Sequence, residues 1–503
     1  MTSPDVLVIG AGPNGLVAAN TLVDAGFSVV VLEANRRPGG AVWSDALTLP
    51  GFVHDVGAAF FPFGQTSPAL KQLDLTAHGL VWKHAPFDSA HPSIDGTCAA
   101  VGRDLEATKR NLGVDGPAWE KLATWHARTR DELLGALLST LPAVGPMLKF
   151  GIPNLLRLAL VAASSGRTFA ERHFQTDAAR RVVPGLALHT DVGPDDPCGA
   201  PVGFMLTMLA SSGGFAVPEG GAKAVTQALL ARLVSRGGRL LLGTRVRRII
   251  VREGRACAVV TNDGHEYAAT RAIIADTSAP ALYLKLLDAA RVPSPIADSM
   301  RRFPYGFGTF KMDWALSGPV PWLTVDSRRA AVVHTGDSVD DLARFTAQVR
   351  HGELPDNPYL VIGQQSLVDP SRAPAGKHTL WAYSRVPSNI EGGWAAHAQR
   401  FADRIDNRIE QLAPGFKRRI LQRFVVTPPD LEAMDENLVG GDLGGGSAQI
   451  QHQLFFRPVF PYFRYRTPIR GLYLGSSYTH PGAGVHGACG YNAARAVIED
   501  VGG

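Results

Sequence analysis

The residues of this chain whose types and spacing could do chemistry lie near its two ends. Near the start, Gly10, Gly12 and Gly15 form a G-x-G-x-x-G turn, with Pro13 and Asn14 between the last two glycines. That pattern binds the phosphates of a dinucleotide. Gly10 permits a tight turn, Gly12 lets the backbone approach a pyrophosphate, and Gly15 lets a helix pack closely on a strand. The free N–H groups of the helix start receive the phosphate charge, and Pro13 fits a first turn that has no N–H bond to lose. Seventeen residues lie between Gly15 and Glu33, which places the Glu33 carboxylate at the ribose hydroxyls. Near the end, Tyr478, His480 and His486 stand in a turn of small residues over 476–487. They are the candidates for moving a proton if the reaction needs one, and each could equally be a hydrogen-bonded loop residue.

The surrounding elements must hold those two ends together. The apolar run 6–10 predicts a buried parallel strand, 13–26 a helix, and 27–33 a second strand, so the glycine turn has the strand–turn–helix–strand context it requires. A helix over 222–235 and strands over 240–242, 246–251, 256–261 and 273–275 follow further along. At the end come a strand over 471–475 and a helix over 488–501, whose positive N-terminal dipole can face an anion. Two long excursions interrupt this α/β pattern. Residues 85–214 carry a helical pattern without cofactor motifs, with helices over 105–112, 119–138 and 176–183 separated by Pro/Gly joints. Residues 280–461 carry strands over 307–316, 359–366 and 380–386 and an amphipathic helix over 394–412. Gly440–Gly446 is glycine-rich but has no strand–helix frame, so only one dinucleotide fingerprint is present.

Composition narrows the class. The 503 residues are 45% hydrophobic and 19% charged, with a formal net charge of +5, the balance of an ordinary soluble enzyme of two or three domains. Short basic groups such as Arg245-Val246-Arg247-Arg248 lack any aromatic platform and read as solvated faces, not a nucleic-acid footprint. Cys98, Cys198, Cys257 and Cys489 stand far apart, which argues against a redox disulfide or a metal site and suits a reduced, cytoplasmic compartment. The most apolar stretch, 133–163, is broken by Pro142, Pro146 and Pro153 and charged by Lys149 and Arg157. It reads first as a buried helix pair in a cap, and otherwise as a patch resting peripherally on a membrane.

Glu33, Arg37 and the pair Gly39-Gly40 stand in a register that resembles the FAD-binding domain of the glutathione reductase–amine oxidase superfamily. The segment Asp55-Val56-Gly57-Ala58 is similar to the stretch that passes near the flavin there. The resemblance implies FAD as cofactor, held by Gly10, Gly12, Pro13, Asn14, Gly15, Glu33, Ala34, Arg37, Gly39, Gly40, Ala41, Gly57, Ala58, Val246, Gly475, Ser476, Gly484 and Val485. Ala41 stands where many relatives have arginine, which removes one phosphate contact. The C-terminal segments, from Gln453-Leu454-Phe455-Phe456-Arg457-Pro458 through Thr479-His480-Pro481-Gly482-Ala483-Gly484-Val485-His486-Gly487, look like the phytoene desaturase-like flavoproteins, in the branch of pyridine nucleotide-disulphide oxidoreductase domain-containing protein 2. The implied fold is a Rossmann-type FAD-binding domain, discontinuous over 1–84, 215–285 and 465–503, with a helical cap over 85–214 and a mixed-sheet substrate domain over 286–464. The implied activity is a dehydrogenase or desaturase passing hydride from an apolar, isoprenoid- or lipid-like small molecule to flavin N5. Flavin-dependent cis–trans isomerases and amine oxidases share the fold, and a non-catalytic FAD-binding scaffold is a third option.

Overall fold

Residues 3–502 are described by a computed structural model. Its first layer is a five-stranded parallel sheet in the order Leu472–Leu474, Ala272–Ala275, Val6–Ile9, Val29–Leu32, Arg239–Leu241. Both faces of the inner strands are covered, so these strands are apolar throughout and do not alternate. Val6, Val8, Val29 and Val31 face the helices Pro13–Asp24, Lys223–Ser235 and Ala488–Val501. Leu7, Ile9, Val30 and Ile273 face a three-stranded antiparallel sheet, Val246–Arg252, Arg255–Thr261 and Glu266–Ala268. The first and last helices cross so closely that a side chain at Gly490 would overlap the Asn14 carbonyl oxygen. That crossing brings the two chemistry-bearing ends of the chain into one place.

The second layer is a seven-stranded mixed sheet in the order Ile420–Val426, Gly308–Leu316, His378–Val386, Val361–Gly363, Ala330–His334, Phe87–Pro92, Cys98–Val101. Side chains alternate across it. Leu380 and Ala382 join Phe401, Ile405 and Ile409 of the helix Trp394–Leu412 in one core. Trp381 and Tyr383 point to the other face and join Trp119, Trp125, Phe169 and Phe204 of the helical region.

Two sequence expectations are corrected here. The block 85–214 is not helical throughout: Phe87–Pro92 pairs with Ala330–His334 in parallel and with Cys98–Val101 in a hairpin before the helices begin at Leu105. The strand Phe87–Pro92 is buried along its whole length but carries Asp88, Ser89 and His91, so it lacks the apolar run that marks a buried strand. The apolar stretch is likewise not a fully buried pair. Val144–Phe150 and Ile152–Ala162 meet at a bend of 102°. Phe150 and Val161 point into the core, while Leu148, Ile152, Leu156 and Leu160 are 73%, 71%, 64% and 64% exposed. No single helix among the described residues is long and apolar enough to cross a membrane.

Candidate functional site

The C-terminal edge of the parallel sheet orders the site. Reading across the strands, Ser476 follows one, Asp276 the next, Gly10 the third and Glu33 the fourth. Ligands of open parallel sheets lie across this edge. At one end the Glu33 carboxylate accepts the Ala11 N–H (2.8 Å) and the Asn35 N–H (2.7 Å), so it is fixed beside the glycine turn. Thr244 N–H donates to the Glu33 carbonyl, which carries Val246 to the same end. Gly39 N–H donates to the Ala11 carbonyl (2.8 Å), folding Arg37, Gly39 and Gly40 back over the turn. Gly39 and Gly40 both take the left-handed conformation that favours glycine. Ala58 N–H donates to the Ala41 carbonyl, and Gly57 lies so close to Ala41 that no side chain fits.

At the other end the turn after Leu474 is bound to the same edge. Gly475 N–H donates to the Ala275 carbonyl (2.9 Å), and the Ser476 hydroxyl to the Thr277 carbonyl (2.6 Å). Arg457 is buried and donates to the carbonyls of Ser477, Gly444, Gly445 and Ser447. Asp442 accepts the N–H groups of Gly306, Gly444 and Gly446. Gly440–Gly446 is thus an ordered, close-approach loop clamped to the turn. Gly484 lies beside Phe63, whose ring meets the His486 imidazole edge-on at 5.5 Å, and Val485 packs on the core of the parallel sheet.

The structure places the three proton-transfer candidates in this turn and distinguishes them. Tyr478 is fully buried, its hydroxyl donates to the Asn437 carbonyl (2.7 Å), and its ring lies on Phe303. Burial holds its phenol well above the usual range, so it stays protonated. Burial lowers both His480 and His486 to about 4, which makes both neutral at pH 7. His486 Nδ1 accepts the Ala488 N–H (3.0 Å), so its proton sits on Nε2. His486 is therefore a donor in this arrangement, not a base.

The residues fit an FAD molecule on two observations. Asn14 Oδ1, in the glycine turn, is buried with no hydrogen-bond partner among the described residues, and such a group calls for one. At Gly10, Gly12 and Gly15 a side chain would collide with Asp276 or with the turn itself, so only bare backbone fits along this edge. Asp276 is a site residue the sequence reading missed. It follows the strand Ala272–Ala275, and its Oδ2 accepts the Gly15 N–H at 2.8 Å. No sequence motif flags it, because its proximity to Gly15 comes from a strand pairing across 261 residues.

Phe60 meets Trp381 edge-on at 6.1 Å and Trp381 meets Tyr383 at 5.2 Å, forming an aromatic wall on the seven-stranded sheet. Behind it His189 Nε2 lies 2.8 Å from His334 Nε2, and the Ser89 hydroxyl joins His334 to His91. Burial pushes His91 and His189 down to about 3 and His334 well below the ordinary value, so this chain of imidazoles is neutral. Lys311 is paired with Asp313. Arg385, on the same face, donates to Thr309 Oγ1 and the His189 carbonyl and lies over the Tyr383 ring, with no carboxylate partner among the described residues.

A parallel sheet whose edge presents a phosphate turn, a ribose-binding acid and a buried C-terminal turn defines an FAD-dependent oxidoreductase. The chain belongs to the flavin containing amine oxidoreductase family, whose model matches residues 14–498. It is 27% identical to pyridine nucleotide-disulfide oxidoreductase domain-containing protein 2 of Mus musculus, over 99% of this chain and 94% of that protein. It is 26% identical to a lycopene-forming phytoene desaturase of Pseudescherichia vulneris, over 98% and 99%. Among solved structures, an oxidoreductase from Methanosarcina mazei matches with a TM-score of 0.66 and 16% identity, covering 98% of this chain and 99% of that one. Putrescine oxidase matches with a TM-score of 0.59 at 19% identity over 99% of each chain, a likeness of fold alone.

Proposed function

We propose that the enzyme dehydrogenates an apolar, isoprenoid- or lipid-like molecule. One observation carries this reading. A single apolar core runs from the half-exposed helix pair, through Leu155, Leu158, Phe150 and Val161, to Phe60, Trp381 and Tyr383 on the seven-stranded sheet. Bound FAD supplies the hydride acceptor. The chain's own part is to hold the substrate against the aromatic wall and exclude water. Its histidines are neutral there, so an uncharged substrate meets no ionised imidazole. That two relatives are named as phytoene desaturases, one lycopene-forming and one neurosporene-forming, is in keeping with this.

Arg385 favours one refinement, a lipid-like substrate with an anionic end, since a buried guanidinium without a counter-ion is costly. Anaerobic mixing of the FAD-loaded protein with an acyclic polyene, a long-chain unsaturated carboxylic acid and putrescine separates the readings by loss of the flavin's visible absorption. Bleaching by the polyene or the acid is expected and by putrescine is not. Bleaching by putrescine alone would overturn the apolar reading. If the acid is the substrate, Arg385→Leu is expected to raise its half-saturating concentration at least about tenfold while the polyene response is unchanged.

The exposed face of the bent helix pair supports delivery of such a substrate from a bilayer, with Lys149 and Arg157 at its border. Flotation with vesicles containing anionic lipid is expected to carry the protein, and Leu148→Asp with Leu156→Asp to lower the bound fraction at least about tenfold. Wild-type protein left unbound would remove this part of the proposal and leave the chemistry untouched.

A further inference from the structure

We propose that Asp276 faces the pyrophosphate as a neutral carboxyl, not a carboxylate, so that FAD binding takes up a proton wherever the free protein has lost it. Three features of the geometry lead there.

The first is position. Along the sheet edge, Asp276 follows the strand between the one leading to Ser476 and the one leading to Gly10, and so lies between the C-terminal turn and the ribose-binding Glu33. A dinucleotide stretched from Glu33 to Ser476 passes it with its phosphates. The second is contact with the phosphate turn itself. Asp276 Oδ2 occupies the Gly15 N–H, and a side chain built at Gly12 would lie 2.7 Å from the same oxygen. An acid thus sits where the turn is shaped to receive an anion, and it competes for the turn's charge. The third is the company it keeps. Glu33 faces it from the second strand, and Asp435, whose Oδ2 lies 3.1 Å from where a side chain at Gly40 would stand, faces it from the loop after the helix Pro428–Met434. Glu436 on that loop is paired with Arg245. Arg37 acts on Asp435 and lies over the Trp43 ring. Cys489, at the start of the last helix, is a neutral thiol that burial pushes up to about 11. No ion pair to Asp276 is formed among the described residues.

In agreement with that geometry, burial raises the Asp276 carboxyl to about 8. The Gly15 N–H pulls it down, and Asp435 and Glu33 push it up. A diphosphate adds negative charge and raises it further. The sign follows: below the value in the free protein Asp276 is already protonated and binding is unaffected by pH. Above it, each pH unit weakens FAD binding by about tenfold, because one proton must be taken up. The Asp276 backbone is held independently, since its carbonyl accepts from Asn437 Nδ2 and Ser278 N–H donates to Asn437 Oδ1. Changing the side-chain charge therefore leaves the loop in place.

The test is FAD binding to the apoprotein by titration calorimetry, from about pH 6.5 to about pH 9.5, in two buffers of different ionisation enthalpy. Wild type is expected to bind with constant affinity up to about pH 8, then to lose about tenfold per unit, with uptake of about one proton. Asp276→Asn keeps an oxygen for the Gly15 N–H, so it is expected to bind FAD with no pH dependence and no proton uptake. A flat wild-type profile with no proton exchange would overturn the proposal even if the variant failed to fold. So would an Asp276→Asn protein that kept the wild-type slope, or an Asp435→Asn protein that lost the slope while Asp276→Asn kept it.

Discussion

Gly15→Ala is expected to yield a folded, colourless protein with FAD affinity at least about a hundredfold lower. A methyl group at Gly15 would lie on the Gly10 carbonyl oxygen and 2.9 Å from Asp276 Oδ2. The first obstacle is backbone, so no rotamer change relieves it. The helix Pro13–Asp24 must move away from the strand Val6–Ile9, and the turn opens. Overpacking of this kind costs about 1–3 kcal/mol and more where the neighbour cannot yield. Here the movement displaces the N–H groups that meet the phosphates, so most of that cost appears in cofactor binding, at about tenfold for each 1.4 kcal/mol. Gly26→Ala is the matched control. Gly26 also has positive φ, at +87°, but nothing lies within 4 Å of a new methyl. It is expected to lose a little stability and no FAD. Absorption of the purified proteins and fluorescence titration with FAD decide the matter; a yellow Gly15→Ala protein with wild-type affinity would refute the packing argument.

The parts of the fold that could be read from the sequence are those where one local pattern meets one local rule. The glycine turn, Glu33 and the two flanking strands are contiguous, and their chemistry is set by spacing alone. The helices Trp394–Leu412 and Ala488–Val501 begin and end where periodicity and propensity predict. What stayed hidden was set by distant partners. Ala330–His334 and Ile420–Val426 are strands because neighbouring strands complete them. The first is too short, and the second too polar on its half-exposed face, to stand out. Phe87–Pro92 fails the usual pattern because its buried polar residues are satisfied mostly by partners far along the chain. Asp88 caps the N–H groups of Phe215 and Arg103, and Ser89 joins the histidine chain. In the site, Tyr478, His480 and His486 could be located in the flavin-end turn, but their protonation could not. The tautomer of His486 depends on the Ala488 N–H, and the protonated state of Tyr478 on its burial, with its hydroxyl held by the Asn437 carbonyl 41 residues away. Asp276 carries no signal in its own neighbourhood at all.

The second large effect concerns how the two sheets are joined. Arg372 is fully buried, with Nη1 donating to Asp55 Oδ2 (2.9 Å), Nε to Asp369 Oδ2 (2.8 Å) and Nη2 to the Pro218 carbonyl (2.8 Å). Its own carbonyl accepts the Val53 N–H. Asp55 in turn accepts from Ser44 and the Ala222 N–H, and it stands two residues before Gly57. One guanidinium from the excursion that builds the seven-stranded sheet thus fixes two segments of the FAD layer. Arg372→Met keeps the apolar stem and strands two buried carboxylates, an arrangement that costs about 3–5 kcal/mol. The denaturation midpoint of the holoprotein is expected to fall accordingly, and FAD affinity to fall with it, because the segment 53–58 loses its anchor. The charge itself is the cause, so Arg372→Met with Asp55→Asn is expected to be more stable than Arg372→Met alone. One stranded charge is then gone, while the amide oxygen of the introduced side chain can still accept from Ser44 and Ala222. A double variant that is no more stable than the single one would locate the loss in packing, and the buried pair would then be holding shape more than charge.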